Sequence, residues 1–147
     1  MLGLALGLWR ALGPERWARV GVVALAISGA GQFLDGFLRL DCRAIDPKCT
    51  DRIASWHGTA HGVETLVTLA SLFVAMFALA RAFRRADGWI DLEGPSRLAG
   101  IAGLTTLVLL FLVSPGIAVL VASTIFYLWT ALLGYRLLVV VRLVEPG

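Results

Sequence analysis

Residues 55–83 read "SWHGTAHGVETLVTLASLFVAMFALARAF", an apolar run that opens on two histidines and a glutamate. At about 1.5 Å per residue a helix of this length exceeds a hydrocarbon core of about 30 Å, so the stretch reads as a membrane-spanning helix. Arg81, Arg84 and Arg85 crowd its exit, as basic residues do beside a membrane.

Further apolar segments lie on either side, at about 17–40, 97–113 and 117–141, so four spans are expected in all, counting 56–83. The 147 residues are 59% hydrophobic with a mean hydropathy of +0.83, more than the core of one soluble domain requires. The expectation is one membrane domain over residues 1–147, all-α, an antiparallel four-helix bundle. Residues 1–16 are too short to span and hold Gly3, Gly7 and Gly13, so they read as a short interfacial helix anchored by Trp9 and by Trp17 just beyond. The alternative for this segment is the remnant of another spanning helix. Its arginine follows the apolar stretch and no small-residue cleavage site precedes Trp17, so no cleaved signal peptide is expected.

The net charge of +3 does not point to nucleic acid, because the basic residues flank apolar segments and no nucleic-acid or phosphate-loop motif is present. Their placement instead sets topology. With four spans, Arg10, Arg16, Arg19, Arg81, Arg84, Arg85, Arg97, Arg136 and Arg142 fall on one side, and Arg39, Arg43, Lys48 and Arg52 on the other. The richer side is expected in the cytoplasm, with both termini. The loop "DCRAIDPKCTDRIAS" then faces outward and carries Cys42 and Cys49, the two cysteines of the chain. An oxidising compartment favours a disulfide between them, with two free thiols as the alternative.

On a helix that advances about 100° per residue, His57, His61, Glu64, Thr68 and Ser71 share one face. In the preceding segment Ser28, Gln32, Asp35 and Arg39 do the same, and Asp41 follows at the loop. Measured from the loop, Asp35, His61 and Glu64 lie at similar depths, about 8–12 Å in. Two antiparallel helices would bring the stripes together, away from lipid. Three accounts of this cluster stand open. One reads the polar groups as a hydrogen-bonded network that sets helix register, including an Asp35–Arg39 pair. His57, His61 and Glu64, with Asp35, can also be read as ligands of a zinc-like divalent metal, with Glu64 or Asp35 as ligand or general base. Haem ligation or proton-coupled transport is the less favoured third.

The order "GFLRLDC", acidic loop, "SWHGTAHG", "RAFRR" and a long final helix resembles a family of bacterial and archaeal multi-pass membrane proteins, domain of unknown function 998. The resemblance implies a multi-span helical fold in the cytoplasmic (inner) membrane of a bacterium or archaeon, and no particular chemistry. It also implies relatives of about six spans, with this chain matching their later part. The function expected is that of an accessory or assembly subunit of a membrane complex, with lipid, other membrane subunits or a second copy as partners. The alternative is a metal-dependent hydrolase acting on a lipid or lipid-linked substrate at the outer leaflet.

Overall fold

A computed structural model describes residues 1–42, 48, 55–112 and 115–144. Among these residues there are five α-helices and no strand: α1 (Leu2–Leu12), α2 (Arg16–Asp35), α3 (Trp56–Phe83), α4 (Glu93–Leu112) and α5 (Pro115–Val144). One 3₁₀ turn, Ile90–Leu92, leads into α4. The fold is all-α. Among the described residues three helices are long and apolar enough to cross a membrane: α2, α3 and the Leu120–Val140 part of α5.

Local chemistry sets the helix ends. Gly13 takes φ of 68°, a conformation other residues avoid, and ends α1. Glu15 then caps α2, its Oε2 accepting from the Ala18 N–H at 2.8 Å. The helix stops at Asp35, with Gly36 as its C-cap, short of the Leu40 expected from hydropathy. Arg39 therefore lies beyond the helix and not on its polar face. At the start of α3, Ser55 Oγ accepts from the Gly58 N–H at 3.2 Å. Asp41 secures this cap, accepting from the Ser55 N–H at 2.7 Å and also from the Ser55 hydroxyl.

Small residues govern how the helices pack. A methyl group added at Gly21 would collide with Leu79, and one at Gly31 with Thr68, so residues rising along α2 meet residues falling along α3. The two helices are antiparallel and close, as glycine permits when there is no water to drive association. Gly100 and Gly103 of α4 admit Phe77 and Phe73 in the same manner, which makes α3 and α4 antiparallel too. The expected interfacial segment is tucked in: Met1 contacts Gly29 of α2, Leu137 of α5 fills the space at Gly7, and Ala5 and Leu8 are buried. A helix lying flat across the ends of the others would not reach Gly29.

The tightly buried core lies toward the end of α3 that bears the arginines. In α3 only Gly58 and Thr68 are buried before Leu72, after which most positions to Phe83 are. Phe83 stacks on Trp89 at 5.5 Å, and Trp89 is 3% exposed. Trp56 and Tyr135 are exposed. Trp129 donates its indole N–H to Ser96 Oγ at 3.0 Å, joining α5 to α4. The opposite end, near the loop, is more open, and Asp35, His61 and Glu64 come together there.

Candidate cation site at the loop end of α2 and α3

Asp35 is the last residue of α2, where the negative end of the helix dipole disfavours a carboxylate. It is half exposed and faces His61 of α3, with Oδ1 3.1 Å from His61 Nδ1. This close approach lacks hydrogen-bond alignment, so the buried Nδ1 atom has no hydrogen-bond partner. One turn deeper, Glu64 brings a second carboxylate, and one ligand atom each from Asp35, His61 and Glu64 lie within 4.8 Å of one another.

Thr68 donates its hydroxyl to Glu64 Oε1 at 2.5 Å and so orients that carboxylate. The approach depends on Gly31: a Cβ there would stand 1.8 Å from Thr68 Oγ1 and 2.8 Å from Glu64 Oε1. Sequence reading passed over Gly31, although a glycine in step with the polar face was a visible signal. Gln32 lies beside the cluster and lines a cavity of about 180 Å³ with Thr65, Thr68 and apolar residues of α3, α4 and α5. Thr68 thus belongs to both cluster and cavity.

The other sequence-read positions fall elsewhere. His57 is exposed, its ring 3.5 Å from that of Trp56, and it is not in the Asp35–His61–Glu64 group. Instead it lines an open groove with Arg39, Asp41 and Ser55. Arg39 is exposed, and among the described residues the ion-pair partner of Asp35 is His61. The expected Asp35–Arg39 pair is therefore replaced by a contact between helices. Asp41 serves the cap of α3. Cys42 is described but Cys49 is not, so the expected disulfide lies outside the described residues.

A divalent ion bound by nitrogen and oxygen at 2.0–2.2 Å keeps tetrahedral ligand atoms about 3.3–3.5 Å apart. Asp35 and His61, at 3.1 Å, lie slightly inside that spacing, and a contraction of about 1.3 Å would bring in a pair at the 4.8 Å limit. Two carboxylates and one imidazole suit zinc or a similar ion and leave a coordination position for water.

Apolar helices of membrane length, with an ionisable cluster held between two of them, define an all-α protein suited to a lipid bilayer. The chain belongs to the family described as Protein of unknown function (DUF998), whose model matches residues 1–136. In the same comparisons no curated protein and no solved structure matches it.

Proposed function

We propose that this chain is a small integral membrane protein that holds a divalent, zinc-like cation at Asp35, His61 and Glu64, and uses it to hydrolyse a lipid or lipid-linked substrate. The observation that carries the reading is the convergence of the three ligand atoms from two helices, with the buried Nδ1 of His61 lacking a hydrogen-bond partner. Such an ion lowers the pKa of bound water towards neutrality. Glu64, oriented by Thr68, is the residue placed to ligate or to take the proton of that water. The cavity that shares Thr68 offers an apolar tail a place beside Leu69, Leu72 and Phe126.

In this reading α2, α3, α4 and α5 are four spans, the C-terminus is cytoplasmic and the site faces the outer leaflet of a bacterial or archaeal cytoplasmic membrane; the N-terminus expected in the cytoplasm does not fit this arrangement, because Met1 lies against Gly29, well along α2 toward the outer end. The asymmetry of arginines supports that orientation. Elemental analysis of the full chain, purified in mild detergent and equilibrated with zinc, tests the site. One zinc per chain is expected, together with chelator-sensitive release of products from a membrane-lipid extract. Absence of bound zinc would end this proposal.

The second reading, an accessory or assembly subunit, draws on the exposed apolar faces of α4 and α5, where Leu104, Val108, Leu120 and Leu128 project outward. Native mass spectrometry would then find the chain with other subunits or a second copy; lipid-coated monomers alone would oppose it.

A further inference from the structure

At the end opposite the cation site, α2, α3 and α4 enclose a groove of about 660 Å³. Its walls change character along their length. Val20 of α2 and Phe73, Val74 and Phe77 of α3 make the inner part apolar, while Trp17, Arg81, Arg84, Glu93 and Arg97 form its outer rim. From Phe73 to Arg84 is about 16 Å of helix, roughly half a hydrocarbon core.

The rim carries surplus positive charge. Glu93 is shared by Arg84 at 3.8 Å and Arg97 at 3.6 Å, so one carboxylate faces two guanidiniums. Arg81 has no carboxylate partner among the described residues and sits over the Trp17 ring at 4.9 Å. Three arginines from two helices thus converge with a single acid, leaving about two positive charges uncompensated at the mouth of an apolar channel. Guanidinium forks match phosphate oxygens, and a basic pocket between membrane helices suits an anionic headgroup.

We infer that this groove binds one anionic glycerophospholipid from the leaflet at the arginine end, with its phosphate among Arg81, Arg84 and Arg97 and an acyl chain along Val20, Val74 and Phe77. The apolar wall selects a lipid over a free phosphate, because a soluble anion leaves that wall uncovered. The surplus charge selects an anionic lipid over a zwitterionic one. The site is separate from the cation site and rests only on the chain lying in a bilayer.

The test is lipid retention by native mass spectrometry on the full chain in micelles containing equal phosphatidylglycerol and phosphatidylcholine. Wild type is expected to keep one phosphatidylglycerol in preference to phosphatidylcholine. Arg81→Gln with Arg97→Gln should weaken retention by about fivefold for each arginine removed. Glu93→Gln, which removes the competing acid, should strengthen it, and this variant keeps the test informative if the double variant is unstable. Arg10→Gln, on the exposed side of α1, should change nothing. Equal retention of the two lipids by wild type, undiminished phosphatidylglycerol in a folded double variant, or weaker retention in Glu93→Gln would overturn the assignment. So would inorganic phosphate displacing the lipid at millimolar concentration, since the anion alone would then fill the site.

Discussion

Gly31 holds the cation site together by what it lacks. Gly31→Ala would drive a methyl group into Thr68 and Glu64, and overpacking of this kind costs about 1–3 kcal/mol. The expected result is a lower thermal midpoint in detergent, partly restored when Thr68→Ala removes the hydroxyl nearest the new methyl. His61 and His57 make a sharper pair. His61→Ala is expected to abolish zinc binding, whereas His57→Ala should leave zinc content unchanged, because its ring lies on Trp56 outside the group. Thr68→Ala should retain the ligands yet weaken zinc by about tenfold, as losing a hydrogen bond to a ligand does. Helical spacing made His61, Glu64 and Thr68 legible as neighbours. It could not separate His57 from them, because a first-turn residue shares the face but lies nearer the helix end than the partner residue Asp35.

Each helix is fixed by its caps and by a few contacts that hydropathy does not register. α2 ends at Asp35, and this termination both removes Arg39 from the polar face and leaves a carboxylate at the negative end of the helix. α5 is joined to α4 by the bond from Trp129 to Ser96, both buried. Trp129→Phe is expected to cost about 1–3 kcal/mol, since Ser96 Oγ is left without its donor. Combining it with Ser96→Ala should cost less than the sum of the two changes, which a double-mutant cycle in thermal midpoints would register. Equal additivity would mean the bond contributes nothing. At the tight turn into α4, Arg136 bonds to the Gly88 carbonyl at 3.1 and 2.5 Å and pairs with Asp91 at 3.3 Å, which ties α5 to the loop after α3.

The molecule as a whole divides into a closed end and an open one. Leu8, Leu79, Phe83 and Leu133 are fully buried among α1, α3 and α5, while the loop end holds the ionisable group and the cavity beside it. Orientation in the bilayer is checked by a C-terminal reporter fusion: a green fluorescent reporter should light up and an alkaline phosphatase reporter stay inactive. Alkylation of the cysteines with and without reductant, read by mass, should show a Cys42–Cys49 bridge that opens only on reduction.

Hydropathy and period are local properties, so the all-α class, the apolar segments of membrane length and the shared face of His61, Glu64 and Thr68 could all be read along the chain. The family assignment rests on the same linear order. The packing of α1 against Gly29, the pairing of Asp35 with His61 in place of Arg39, and the convergence of three arginines around Glu93 depend on how closely and at what rotation helices meet. Those quantities follow from side-chain volumes at contacts between residues far apart in sequence, above all where glycines stand against bulky partners. Only the assembled fold decides them.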